Sequence, residues 1–335
     1  MNIIQLELAA EIFRRVFDII DESRYHPVQK DEIKTTLTDF FEKAFPFFVK
    51  GSDENPLHHH AQVLENMVFI AMEETKADDP AESYKFVRKA AVLALLHDIG
   101  GGFIKPGLKK IKSSDIKDRE QELLKEKTTQ EERDREIGDL IAKAVEYRMD
   151  HMMVGAKIAE DLLYRYNREH ENNAGKTFTE RDIRDIKQCI EIHDVPSIAE
   201  YYLSLGKPYN KSHLIPLDNP LAVILREADR LWMVSKEGLE KDLAEDVQKN
   251  KNPDPLLKLK YNVTRFREEF LLYKSSKDIG LNDLTGFKAE TLFRTNAGFQ
   301  LLKRYVSERI AELNIRFDRQ DTNVIEFILK VEKSK

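Results

Sequence analysis

Apolar residues recur along most of this chain at intervals of three and four, the period of a helix with one buried face. The pattern predicts helices over 3–20, 31–48, 57–74, 81–98, 130–148, 151–168, 179–193, 197–205, 219–235, 255–273 and 286–313. Pro56 suits the first turn of the third, and the run Gly100, Gly101, Gly102 ends the fourth. Two-residue alternation is weak and confined to 323–331, and no internal repeat is visible. The expectation is an all-α fold.

One stretch stands apart. Residues 109–136 carry 18 charged side chains in 28, with few aliphatics beyond Ile111, Ile116, Leu123 and Leu124. So little apolar surface anchors a segment weakly, which predicts a solvated helix or a mobile arm, with a lid as the sharper alternative. The whole chain of 335 residues is 34% charged with a net charge of −6. That balance argues against a long nucleic-acid partner, which demands basic surface. The single cysteine, Cys189, excludes an intrachain disulfide and a thiolate-rich zinc site. No apolar run is long enough for a membrane span, and the first residues lack a signal-peptide pattern. A cytoplasmic protein is expected.

Candidate chemistry lies on the apolar stripes. In AAVLALLHDIGGG, seven apolar residues precede His97 and Asp98, and the helix then breaks at glycine. A carboxylate beside that much apolar surface, at the negative end of a helix dipole, needs a cation. His151 aligns with Val154, Ile158 and Leu162, and His193 follows Ile186, Cys189 and Ile190. Asp229 lies between Leu225 and Trp232. In the triplet His58, His59, His60 the choice is open: His59 shares a face with Val63 and Ile70, while spacing to Leu64, Met67, Val68 and Ala71 favours His60. Four histidines and two aspartates facing inward on separate helices suit two first-row metals bridged by a carboxylate.

The order His60, His97-Asp98, His151, His193, Asp229 resembles the HD-domain superfamily of metal-dependent phosphohydrolases. The segments HHHAQVLENMVFIA, LLHDIG, DHMMVGAKIAEDLL, IEIHDV and LREADRL are similar to its five motif regions. The resemblance implies an HD-domain helical core over 51–249, with the charged insertion 109–136. Helical extensions over 1–50 and 250–335 would flank it. It implies that His60, His97 and Asp229 hold one ion, that His151 and His193 hold a second, and that Asp98 bridges them as the central catalytic carboxylate. The cofactor would be a divalent transition metal, two ions in all. Iron or manganese is favoured, and zinc, nickel, cobalt or magnesium would also fit the donors.

The implied activity is hydrolysis of a nucleotide or another small phosphorylated metabolite by a metal-activated water. The chain departs from several branches of the superfamily: Gly101 stands where many members have a lysine after HDIG, so Lys105 is the candidate phosphate-binding residue. Two alternatives follow from the same resemblance, a di-iron oxygenase similar to myo-inositol oxygenase and a non-catalytic regulatory domain. Homo-oligomerisation is compatible with all three.

Overall fold

The computed structural model describes residues 3–51, 57–126, 128–173, 175–195, 198, 219–248, 252–263 and 293–312. Among these the chain is helical throughout, with no strand, as the periodicity predicts. The elements are α1 (Ile3–Glu22), α2 (Pro27–Gly51), α3 (Leu57–Glu74), α4 (Pro80–Leu96), α5 (Ser113–Lys125), α6 (Gln130–Glu169), α7 (Glu180–Ile192), α8 (Pro220–Trp232), α9 (Lys236–Gln248) and α10 (Asn296–Glu312). A further helical stretch covers 255–263, and a single 3₁₀ turn, Gly101–Phe103, follows α4. No helix among the described residues is long and apolar enough to cross a membrane. Apart from Ile198, the predicted helix over 197–205 falls outside the described residues, as do 264–273 and 286–292 of two further predicted helices and the alternation over 323–331.

Several helix starts are written locally. Thr129 accepts from the Glu132 amide at the head of α6, and the Glu132 carboxylate accepts from the Thr129 amide. Thr179 and Asp182 repeat this reciprocal cap at α7. Asn219 accepts from the amides of Leu221 and Ala222 ahead of Pro220, and Asp79 does the same for Ala81 ahead of Pro80. Each such cap is worth about 1 kcal/mol and fixes where the helix begins.

One prediction needs correction, and another resolves between its alternatives. The stretches 130–148 and 151–168 are one helix of 40 residues, because Met149 and Asp150 contain nothing that breaks a helical backbone. The charged segment takes the solvated-helix form, with most of its described residues exposed and one face anchored. Its residues form α5 and the head of α6, which close over a small apolar cluster of Ile116, Leu123, Ile137, Ile141 and Ala144. The first two of these lie in the charged segment, and the other three come from beyond it.

The main core is continuous. It joins Ile12, Val16 and Ile20 of α1, Leu37 and Phe40 of α2, the apolar residues of α3 and α4, and Leu301, Leu302 and Val306 of α10. Helix α3 packs on α1, α4, α8 and α10, so it runs through the middle of the bundle. Helices α4, α7 and α8 pack mutually, and α6 packs on α7. The ends of these central helices meet on one side, where the candidate site lies.

Candidate metal centre

Two helices end in the same way. His97 caps the C-terminus of α4, and its Nδ1 lies 2.7 Å from the Ala94 carbonyl oxygen. His193 caps α7, with Nδ1 2.7 Å from the Ile190 carbonyl oxygen. Carbonyls of a last helical turn lack intrahelical donors, and each histidine supplies one. A carbonyl only accepts, so the hydrogen sits on Nδ1 and Nε2 is turned away from the helix. Both Nε2 atoms face Asp98. This is the arrangement by which a backbone carbonyl fixes the tautomer of a metal-ligating imidazole.

Asp98 follows His97 in a turn closed by Ile99 N to Leu96 O at 3.2 Å and Gly101 N to Asp98 O at 3.2 Å. The turn presses against α6. A Cβ built on Gly100 would stand 2.3 Å from the His151 carbonyl oxygen and 2.7 Å from the Gly155 nitrogen. Only glycine admits that approach, and the approach is what brings Asp98 alongside His151.

The Asp98 carboxylate is divided between two groups. Oδ1 lies 2.8 Å from His151 Nε2 and 2.9 Å from His193 Nε2. Oδ2 lies 3.2 Å from His59 Nε2 and 3.5 Å from His97 Nε2. His59 Nε2 and His97 Nε2 are themselves 3.2 Å apart. Asp229 sits at the rim of the second group, its Oδ1 3.5 Å from His59 Nε2 and 3.9 Å from His97 Nε2. Its Oδ2 accepts from Arg230 at 2.9 Å. All four histidines are buried.

These spacings fit a shared cation. Two donors bound at right angles to one ion at ~2.1 Å are separated by about 3.0 Å. The donor atoms of His59, His97 and Asp98, and those of Asp98, His151 and His193, lie within 4.8 Å of one another in each set, so each set could hold a metal ion. The Nδ1 atoms of His59 and His151 find no hydrogen-bond partner among the described residues.

Electrostatics point the same way. Burial acts to raise the Asp98 carboxyl, but His97 and the hydrogen bonds from His151, His193 and His59 hold it well below the usual carboxylate range. Burial lowers His97 to about 4, against the pull of Asp98, so it presents a bare Nε2 lone pair. Burial works on His193 too, yet its bond to Asp98 pushes it up to about 9. With protons alone to balance the carboxylate, one is drawn onto His193. A pocket that recruits positive charge among lone pairs and a carboxylate has the donor chemistry of a metal centre.

The structure thus brings together His97, Asp98, His151, His193 and Asp229, as expected, and departs on two residues. His60 is not in the cluster. Its ring lies against Phe48 with centroids 4.6 Å apart, it bonds to the Leu95 backbone, and burial holds its pKa well below the usual histidine value. His59 occupies the expected place. Because α3 is buried almost all round, alignment with Leu64 marks a core position and not the site. His58 faces Trp232, whose ring also packs on His59 with centroids 5.3 Å apart.

Lys105 is the second departure. Its side chain is exposed and paired with Asp150 Oδ1 at 3.3 Å, and it does not line the cavity over the cluster.

That cavity, of about 160 Å³, is lined at its mouth by Lys110, Tyr147, Arg148, Trp232, Met233 and Lys241. None of these was singled out from sequence. Tyr147 and Arg148 stand one turn before His151, a spacing that could have flagged them. The Arg148 guanidinium pairs with Asp194, next to His193. Burial acts to raise Asp194, but Arg148 and His193 hold it well below its ordinary value. Lys110 is exposed as a residue, although the surrounding protein and the Arg148 charge lower its ammonium pKa. Comparison with protein-family models, with curated proteins and with solved structures finds no match for the chain.

Proposed function

We propose that this chain is a metal-dependent phosphohydrolase of the HD-domain type, acting on a nucleotide or another small phosphorylated metabolite. The observation that carries the reading is the division of the Asp98 carboxylate between two sets of imidazoles. His59, His97 and Asp229 would hold one ion, His151 and His193 the other, and Asp98 both. Mixed imidazole and carboxylate donors favour iron or manganese. Two such ions, when bound, would supply Lewis acidity toward water and phosphoryl oxygens.

The protein's own part is positioning. Ala94 and Ile190 carbonyls aim two imidazoles, and the contact of Gly100 with α6 sets the separation of the two sets. Trp232, Met233 and Tyr147 wall the cavity and restrict water. Arg148 and Arg230 orient Asp194 and Asp229. Cationic side chains outnumber carboxylates in the lining, which favours an anionic substrate.

The test starts with metal analysis of protein purified without chelator, expected to give two ions per chain. A panel of nucleotides and phosphomonoesters is then assayed with manganese or ferrous iron, with and without oxygen. Metal-dependent phosphate release that is indifferent to oxygen is the expected result. Turnover requiring both ferrous iron and oxygen, without phosphate release, would transfer the assignment to an oxygenase.

A further inference from the structure

The four cations around the cavity fall into two kinds. Arg148 and Arg230 are each engaged by an aspartate beside the cluster. Lys110 and Lys241 form no ion pair among the described residues, although both line the mouth.

Their convergence has a structural cause. Gly107, with φ +93°, turns the chain after the 3₁₀ segment. The chain then reaches Lys112, whose backbone at the head of α5 is extended (φ −86°, ψ 152°). Lys110, two residues before Lys112, lines the same cavity as Lys241. In a helix, side chains four apart share a face, so Lys241 and Glu245 of α9 do. Lys112 pairs with Glu245. That one ion pair sets Lys110 near Lys241 in the lining of one cavity; Arg148 and Lys241 act against the Lys110 charge, while Asp98 and Asp194 favour it. Like charges so placed cost free energy unless an anion lies between the ammonium groups.

The cavity beneath, about 160 Å³, has room for a phosphoryl group but is far below the ~300 Å³ at which ligand pockets begin. The remainder of a substrate would stay outside. We propose that Lys110 and Lys241 form a phosphate clamp that selects a terminal phosphomonoester dianion over a phosphodiester. This deepens the phosphohydrolase reading and rests on it for the identity of the substrate. A monoester carries close to two charges at neutral pH and leaves three oxygens for the lysines and the centre; a diester carries one charge and has a second substituent to accommodate in the small cavity.

The experiment is calorimetric titration of manganese-loaded full-length protein with inorganic phosphate, methyl phosphate and dimethyl phosphate. Wild type should bind the first two, and methyl phosphate at least about tenfold more tightly than dimethyl phosphate. Lys110→Met and Lys241→Met should each weaken phosphate by roughly tenfold, with the manganese content unchanged. Lys110→Arg should retain most of the affinity, since Lys110 is exposed and the substitution keeps the charge.

Phosphate binding that both Met variants leave unaltered overturns the clamp, as does equal affinity for the two methyl esters or no phosphate binding by wild type. The two proposals fail separately. Lysine-dependent phosphate binding without turnover of any phosphoester removes the hydrolase and keeps the clamp. Turnover with phosphate affinity indifferent to both lysines does the reverse.

Discussion

Helix α4 (Pro80–Leu96) has a cavity at each end, and the two differ in a way that size does not reveal. The one beside its N-terminal half is the larger, about 1050 Å³, and includes Arg88, Lys89, Tyr84, Phe178 and Asp182 in its lining. Its charges are settled. Arg88 pairs with Glu32, donates to the carbonyls of Gly175 and Thr177 at 3.1 Å each, and lies over the Phe178 ring. Lys89 bonds Asp182 at 2.8 Å and Asp185 at 3.1 Å. The cavity at the C-terminal end is about 160 Å³; there imidazole lone pairs face a carboxylate, and Lys110 and Lys241 join the lining without an ion pair among the described residues. Charges answered within the protein hold helices together. Charges gathered without an answer are arranged for something that arrives. On that basis the smaller cavity is the proposed site and the larger one is architecture.

The harshest way to break the comparison is Asp98→Ala. Asp98 touches both sets of imidazoles, so no other side chain can replace it. Metal affinity should fall by at least about a hundredfold and hydrolysis to background, since loss of even a supporting group costs 10–100-fold. The helical circular dichroism signal should survive, because the main core does not include this residue. Elemental analysis after gel filtration reads the first effect. A metal-replete, active Asp98→Ala protein would end the assignment of this end of α4 as the site.

Next in size is Gly100→Ala. The added Cβ would meet the His151 carbonyl at 2.3 Å, and backbone cannot move aside as a side chain can. The turn and α6 must separate, widening the gap between Asp98 and His151. The expected outcome is metal binding weakened about tenfold or more, with a stability loss of about 1–3 kcal/mol. Metal titration alongside urea unfolding measures both. Unchanged affinity would mean that the close approach is packing alone.

Arg88→Met probes the opposite end. Removing the guanidinium strands Glu32, whose side chain is only 12% exposed, and unties the carbonyls of Gly175 and Thr177. Breaking a buried pair from one side costs about 3 kcal/mol or more. Metal affinity should stay within about twofold of wild type, because Arg88 lies about two and a half helical turns from His97. Loss of metal binding comparable to that of Gly100→Ala would dissolve the distinction between the two ends.

How much of this was legible before the structure follows the range of the interactions. The caps at Thr129, Thr179 and Asn219 span three residues and can be read directly, which is why the helix starts were placed well. His97-Asp98, His151, His193 and Asp229 were visible because each stands at the end of, or within, an apolar stripe. The choice between His59 and His60 was not: both are buried, and what separates them is where the end of α4 and Trp232 lie, a long-range fact. Lys105 was chosen for nearness along the chain to the His-Asp doublet, but Asp150, 45 residues on, holds it. Lys110 and Lys241 were hidden for the same reason. Their meeting depends on Lys112 and Glu245, 133 residues apart. The order in the charged segment depends likewise on Ile137 and Ile141 beyond it.

The smallest expected effect is the pH behaviour of Lys89→Met, again at the N-terminal end. Burial acts to raise the Asp182 carboxyl, but the Lys89 ammonium and Thr179 hold it below its ordinary value of 3.8. A carboxyl depressed in the folded state stabilises the protein at any pH above its unfolded pKa. That contribution disappears as pH falls through the folded value. Wild type should therefore exceed Lys89→Met by a constant margin, about 1 kcal/mol for this partly exposed pair, from neutrality down to about pH 5. The margin should narrow below about pH 4, where Asp182 begins to take a proton in the unfolded chain, and vanish once the folded carboxyl is protonated as well. Urea unfolding of both proteins at about pH 3, 4, 5 and 7 gives the curve. A margin that stays constant to the acid end would show that Lys89 acts through the packing of its stem and not through its charge. Metal affinity at pH 7 should be the same in both proteins, so a shift there would tie this end of α4 to the centre after all.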